Sequence, residues 1–367
     1  MTDRLRVAVV GCGFQGRLHL EFLKEIDCVE VVAVCDLDET RLAEAADDYG
    51  VPARFASHED LLSQETVDLI TVCTMPESHP EITLDALATG AGVLCEKPMA
   101  ADLEGALAMA EAAERTGGFL TVGYNLRYST AAQAVRAFVD DGQLGRPVWA
   151  RGSMLETAIP WWGPHCMREK SGGGALASTA VHMIDLLMWL AGNPRPIAVT
   201  ASSARLFPRK RGSTAPDAWN SDTYDVEDLV FGHLRFDSDF WMTIEGAWTW
   251  DEPGWECRFD LVGDRAQAGV EPLRFSAEQD GRLLDVTDSA RGDMDFPSSI
   301  RRELIDVVDA LRMGRSPLVT VEQALEVQAV VDAFYRSTEE GREVSVRDVR
   351  ASGSHHALNR SGRSELQ

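Results

Sequence analysis

Arg6-Val7-Ala8-Val9-Val10-Gly11-Cys12-Gly13-Phe14-Gln15-Gly16 reads as a buried strand that runs into a glycine turn and then a helix. After Arg6 the strand is apolar and mostly β-branched, as a central parallel strand requires. Gly11, Gly13 and Gly16 form G-x-G-x-x-G. The first glycine permits the tight turn, the second lets a pyrophosphate approach the backbone, and the third lets the helix pack closely on the strand. Loop residues Cys12, Phe14 and Gln15 and the helix N-terminus supply N–H groups and a positive dipole end for phosphates. A second apolar run, Val29 to Cys35, ends in Asp36, twenty residues after Gly16. That spacing suits a carboxylate gripping the adenosine ribose hydroxyls of a dinucleotide. Asp36 with Asp38 and Glu39 repels a 2′-phosphate, so the sequence favours NAD over NADP, and Arg41 is expected on the helix face.

Outward from this unit, helix and strand alternate to about Gly123. Helices are expected over Gln15–Ile26 (apolar face Leu18, Phe22, Ile26), Thr40–Asp48, Asp60–Ser63, Glu77–Thr89 and Asp102–Arg115, and strands over Val67–Cys73, Val93–Cys95 and Phe119–Val122. A short region around Phe55 is left open. Gly50, Gly90 and Gly117-Gly118 stop helices. Such repeated βα units imply a doubly wound parallel sheet. After Gly123 the rhythm changes: a helix over Ser129–Asp140, a strand over Val148–Leu155, a long apolar helix over Leu176–Leu190, then strands with turns from Ile197 to about Asp288 and helices over Ile300–Arg312 and Val321–Thr338. Strand runs without intervening helices read as an antiparallel sheet, with a hairpin at Asp237-Ser238-Asp239. The chain divides as 1–123, 124–350 and a polar tail, 351–367, in which His355 and His356 are expected to be solvated.

The 367 residues suffice for two domains, and 45% hydrophobic content suffices for full cores. A net charge of −24 argues against a nucleic-acid surface. Seven cysteines without paired spacing suggest reduced thiols in a cytoplasm. No apolar run is expected to span a membrane, and the first strand leaves no room for a signal peptide.

Ligands of open α/β sheets bind beyond the carboxyl ends of the strands. Those ends carry the glycine loop, Asp36, Thr74-Met75-Pro76-Glu77-Ser78-His79, Glu96-Lys97-Pro98 and Tyr124-Asn125-Leu126-Arg127. Thr74, Met75, His79, Glu96, Lys97 and Asn125 are candidate cofactor contacts. Tyr124, Arg127, Lys97, Trp162, Arg168, Ser178 and His182 are candidate substrate contacts. Lys97 follows a buried strand directly. It either hydrogen-bonds a substrate hydroxyl or pairs with Glu96 or a neighbouring acid. Ser178, His182 and Asp185 recur at i, i+4 and i+7, so they share one helix face. The loop Trp161–Lys170 either stacks aromatics on a substrate or packs on the sheet, and the basic loop Arg205–Arg211 reads as a solvated turn or a subunit contact ahead of a site for a phosphate on the substrate.

Gly11-Cys12-Gly13, Cys95-Glu96-Lys97-Pro98, Gly172-Gly173-Gly174-Ala175-Leu176 and His182-Met183-Ile184-Asp185, in this order, resemble the Gfo/Idh/MocA oxidoreductases. The resemblance runs from about Arg6 to Val346. It implies a Rossmann domain followed by an α/β domain with a large, open, mainly antiparallel sheet that forms the oligomer interface, as a homodimer or homotetramer. It implies hydride transfer between NAD and a ring carbon of a sugar, glycoside or cyclitol, with Lys97 and His182 as catalytic acid–base residues meeting at the nicotinamide edge, and a bond before Pro98 that is often cis. No metal is implied. The chain departs from the pattern twice. Ser178 stands where many members have Asp, and Met75 stands where proline is usual. Alternatives in view are a redox-neutral glycosidase or epimerase with tightly held NAD, and a non-enzymatic regulator that senses dinucleotide.

Overall fold

The computed structural model describes residues 4–156, 163–206, 223–250, 256–287 and 292–347. Trp161, Trp162, positions 207–211 of the basic loop and the tail with His355 and His356 lie outside the described residues. Chain contacts define two compact units. The first comprises Met1–Ala100, Glu104–Asn125 and Pro297–Leu325, and the second comprises Ala101–Leu103, Leu126–Phe296 and Glu326–Gln367. The linear division at 123/124 leaves residues 297–325 in the second domain, whereas the structure packs them in the first unit. There the Thr121 hydroxyl donates to the Val319 carbonyl at 2.9 Å.

In the first unit, strands β1 (Leu5–Val10), β2 (Val29–Cys35), β3 (Ala53–Phe55), β4 (Leu69–Val72), β5 (Gly92–Cys95) and β6 (Leu120–Val122) form one parallel sheet in the order β3-β2-β1-β4-β5-β6. The strand order reverses between β1 and β4, and the glycine turn leaves β1 at that point, where open α/β sheets bind ligands. Helices α1 (Phe14–Leu23), α2 (Glu39–Tyr49), α3 (His58–Gln64), α4 (His79–Thr89) and α5 (Leu103–Thr116) connect the strands. Local chemistry sets their ends. Asp38 caps α2 by accepting from the N–H groups of Thr40 and Arg41, Ser57 caps α3, and Gly50 and Gly90 terminate α2 and α4 in left-handed conformation. The buried face of α1 is Gly16, His19, Leu20, Phe22 and Leu23. The expected face through Leu18 and Ile26 is rotated away, because a polar residue, His19, occupies the core side.

In the second unit, α6 (Thr130–Asp140), β7 (Pro147–Leu155), the one-turn α7 (Arg168–Ser171) and α8 (Val181–Leu190) precede β8 (Pro196–Ala204), β9 (Leu229–Phe236), β10 (Trp241–Ala247), β11 (Glu256–Gly263), β12 (Ala266–Gly269), β13 (Arg274–Gln279) and β14 (Arg282–Asp285). Helix α9 (Phe296–Met313), which belongs to the first unit from Pro297 on, helix α10 (Val321–Glu340) and the short β15 (Val344–Ser345) close the described chain. The nine strands run β14-β13-β12-β11-β7-β10-β9-β8-β15. The β7–β10 pair is parallel, and the remaining pairs are antiparallel. One face carries the core: Val230, Leu234, Phe236, Met242, Ile244, Phe259 and Leu261 are all buried. A Cβ on Gly232 would lie 2.0 Å from the Phe334 ring, so only glycine admits the close approach of β9 to α10. The Arg168–Leu190 stretch is long and apolar enough to cross a membrane by length and composition alone, contrary to expectation. Since 94% of that apolar window is buried inside the fold, it serves as core.

Candidate active site

The glycine turn has the geometry its sequence demands. Gly11 has φ +96°, and a Cβ there would lie 2.5 Å from the Cys73 carbonyl oxygen. A Cβ on Gly16 would lie 1.8 Å from the Gly11 carbonyl. A Cβ on Gly13 would meet nothing within 4 Å, so the turn opens on that side. No side chain caps α1, which leaves its first N–H groups directed at this open side, with Phe14 74% exposed above it. Asp36 is fixed by two backbone donors, Cys12 N–H at 2.7 Å and Asp38 N–H at 2.8 Å. Each carboxylate oxygen keeps a second lone pair for a ribose hydroxyl. Arg41 pairs with Asp38 at 3.2 Å rather than standing ready for a 2′-phosphate. The thiols of Cys12 and Cys35 are each pushed up to about 12, first by burial and then by the Asp36 charge, so both stay neutral.

Beyond β4 and β5 two loops are tied together. His79, fully buried, places Nδ1 at 3.1 Å from the Pro98 carbonyl and Nε2 at 3.2 Å from the Thr74 carbonyl. Burial lowers its pKa even though both carbonyls favour the cation. The neutral imidazole carries one N–H, so His79 donates to one of these carbonyls and packs against the other between the two loops. The Ser78 hydroxyl donates to Thr74 Oγ1 at 2.8 Å, and Met75 supplies its carbonyl to Ser78. The Lys97–Pro98 bond is cis.

Glu96 is the electrostatic centre of this edge. Its Oε1 accepts from the Gln15 amide at 2.7 Å and lies 3.1 Å from His19 Nε2, and its Oε2 accepts the Lys97 N–H at 3.2 Å. Burial alone would raise its pKa. The hydrogen bond and charge of His19, then Lys97 and Gln15, outweigh burial and lower it. Gln15 and Glu96, expected at the cofactor, therefore hold each other, and His19, which sequence reasoning missed, completes the group. Its signal was present: Gly16, His19, Leu20 and Leu23 have helical core spacing with one polar member. At the end of β6, Tyr124 is buried, and both polar atoms of the buried Asn125 amide lack a hydrogen-bond partner among the described residues. Such an amide is open to a ligand or a water as partner. Together with the open Gly13 side, the uncapped α1 and Asp36 at the end of β2, it gives this edge polar groups that fit a dinucleotide.

In the second unit, Leu176–Ala180 form a π-helical turn that leads into α8. It changes the phase between Ser178 and His182, so the expected i, i+4, i+7 stripe is not one continuous face. His182 is buried in the first turn of α8. Asp185 accepts both arms of the buried Arg127 fork, at 2.9 Å from Nε and 2.6 Å from Nη2. Arg127, expected at the substrate, is thereby placed in an internal ion pair. Burial raises the Asp185 pKa against the guanidinium's pull. Glu227, also missed by sequence reasoning, supports the glycine run. It accepts the N–H groups of Gly174 and Leu176 and the Tyr335 hydroxyl at 3.0 Å, and burial raises its pKa despite them. Arg168 lies 4.5 Å over the Tyr335 ring and 3.3 Å from Glu339. Trp162 lies outside the described residues.

The first unit thus has the architecture of an NAD-binding oxidoreductase domain. An oxidoreductase-family model with an NAD-binding Rossmann fold matches residues 5–124, and its C-terminal alpha/beta domain matches residues 136–346. The chain belongs to the Gfo/Idh/MocA oxidoreductase family, with NAD as cofactor. It is 28% identical over 350 residues to D-glucoside 3-dehydrogenase of Escherichia coli, covering 94% of this chain and 98% of that protein. It is 30% identical over 352 residues to inositol 2-dehydrogenase of Burkholderia cenocepacia, covering 92% and 95%. The structure of levoglucosan dehydrogenase in complex with NADH and L-sorbose shares the fold, with TM-score 0.83, 21% identity and coverage of 94% and 100%.

Proposed function

We propose that this protein oxidises a ring hydroxyl of a sugar, glycoside or cyclitol, with Lys97 and His182 as its acid–base groups. Bound NAD supplies the hydride acceptor. The proton of the hydroxyl must leave as hydride departs from the same carbon, so a base must lie within hydrogen-bond reach of that oxygen. His182 takes that proton. Lys97 hydrogen-bonds the same oxygen and stabilises developing negative charge. The observation that carries this reading is Lys97 itself, half-buried at the carboxyl end of β5 beside a buried carboxylate. Ser178, in place of the usual Asp, offers substrate or imidazole only a neutral hydrogen bond. Relatives named for D-glucosides and inositol support a polyhydroxylated ring as substrate. A panel of inositols, aldoses and glycosides incubated with NAD, read by absorbance of the reduced cofactor, tests this. Reduction with at least one ring polyol is expected, and none across the panel overturns the reading. With that substrate, kcat/KM is expected to favour NAD over NADP, and equal values would remove Asp36 as the selector.

We infer a homodimer or homotetramer through the outer sheet face. Of the hairpin aromatics, Phe236, Phe240 and Trp248 turn inward, whereas Phe231 and Trp241 remain exposed. Trp241 packs against Trp149 at 5.5 Å and His233 at 5.6 Å, which builds an apolar ridge on that face. All seven cysteines are free, which suits a cytoplasmic location.

A further inference from the structure

Within the first unit, the groups behind Glu96 form a chain of polar contacts. Burial, and then the Glu96 charge, raise the Cys73 thiol well above its ordinary pKa, so it remains S–H. Its sulfur lies 3.4 Å from His19 Nδ1. A carboxylate oxygen only accepts, so the ring nitrogen that faces Glu96, Nε2, carries a proton. That N–H then faces Glu96 Oε1 at 3.1 Å. The Gln15 amide lies 3.4 Å from the same ring nitrogen, but two donors do not bond, and its N–H instead reaches Oε1 at 2.7 Å. Gly123 leaves room for the carboxyl group, since a Cβ there would lie 3.0 Å from Glu96 Oε1.

We propose that His19 is a positioning residue: oriented by the Cys73 thiol, it presents its Nε2–H to Glu96 and keeps that buried carboxylate ionised and aligned beside Lys97. The proposal rests on the reading of Lys97 as an acid–base group, because the charge so preserved acts on the reaction through Lys97. The titratable groups facing Glu96 are His19 on α1, its neighbour Lys97, His79 on α4, and Cys73 and Cys95 at the ends of β4 and β5. Of the three nearest imidazole and amide donors, His19 and Gln15 share Oε1, while His79 is committed to backbone carbonyls. Removing His19 therefore strips Oε1 of one of its two side-chain donors and leaves burial to favour the protonated acid.

The test is infrared spectroscopy of the full chain with NAD bound, titrated from neutral to acid pH. The carbonyl band of protonated Glu96 is identified by its loss in Glu96→Gln. In His19→Leu that band is expected to persist about one pH unit or more higher than in wild type, a tenfold change in proton affinity. The acid limb of the kcat/KM profile should move by the same amount. His19→Gln, whose amide reaches the Nε2 position, should restore the wild-type midpoint. His19→Asn, whose amide reaches only the Nδ1 position, should not. Equal midpoints in the Gln and Asn variants overturn the proposal even if His19→Leu does not fold. The band is read without turnover. A Lys97→Ala variant that keeps turnover removes the catalytic reading and leaves the His19–Glu96 result standing, and an unshifted band removes this inference whatever Lys97 does.

Discussion

Two buried glutamates, one in each unit, are held in opposite ways. Glu96 is surrounded by groups that answer its charge, an imidazole, a lysine and an amide, and its pKa falls below the ordinary value. Glu227 has two backbone N–H groups and a phenol, all neutral, and its pKa rises. Both are well hydrogen-bonded, so hydrogen bonding alone does not decide the sign. Nearby ionic and ionisable partners do. The difference separates a carboxylate kept charged next to the proposed chemistry from one that serves as an acceptor for the turn over Gly174 and Leu176.

The sharpest way to break this contrast is to remove the residue that Glu96 serves. Lys97→Ala is expected to lower kcat by roughly 10²–10⁴ while leaving the Kd for NAD nearly unchanged, and His182→Ala should do the same. Steady-state kinetics with cofactor titration by fluorescence would show it. Near-wild-type kcat in either variant takes that residue out of the mechanism and makes Glu96 another structural carboxylate.

The second unit offers a third buried carboxylate as a reference. Asp185→Ala removes the carboxylate from the buried Arg127 guanidinium, which costs about 3–5 kcal/mol. Urea unfolding should therefore show a large fall in midpoint. The double variant Arg127→Met, Asp185→Leu should recover much of it, because a well-packed apolar pair has no charge to desolvate. A double variant as unstable as Asp185→Ala would mean that the fork does more than neutralise itself, for example through the Arg127 stack on Trp189 at 5.8 Å.

These contrasts also mark what was legible in the sequence. In the parallel sheet each strand points the same way, so the residue after each strand arrives at one edge by topology. Asp36, Thr74, Lys97 and Asn125 could be placed there from order alone. What those side chains do there depends on partners from other elements. His79 turned to two carbonyls, and Gln15 turned to Glu96, because buried donors and acceptors must pair with whatever lies nearest. In the second unit Arg127 meets Asp185 across 58 residues and Glu227 meets Gly174 across 53, separations at which no periodicity carries information. The π-turn before α8 was equally invisible, since the spacing of Ser178, His182 and Asp185 reads as one continuous α-helical face and nothing in the sequence marks the wider turn.

The smallest expected effect is the most direct reading of the glutamate contrast. Glu96 has a folded pKa below its unfolded value. Its contribution to stability is present above the unfolded pKa of about 4.3 and is lost as pH falls through the folded value. Glu227 has a folded pKa above its unfolded value. Its contribution is fully present below about 4.3 and is lost as pH rises through the folded value. The difference in unfolding midpoint between wild type and Glu96→Gln should therefore shrink as pH is lowered from neutrality. The difference between wild type and Glu227→Gln should grow over the same interval. Urea unfolding at several pH values, read by tryptophan fluorescence, gives both curves. Parallel slopes would show that the ionic and ionisable partners of Glu96 do not set it apart from Glu227. Glu227→Gln should also leave the acid limb of kcat/KM in place, because Glu227 supports the turn before α8 through backbone donors and takes no part in the proton transfer.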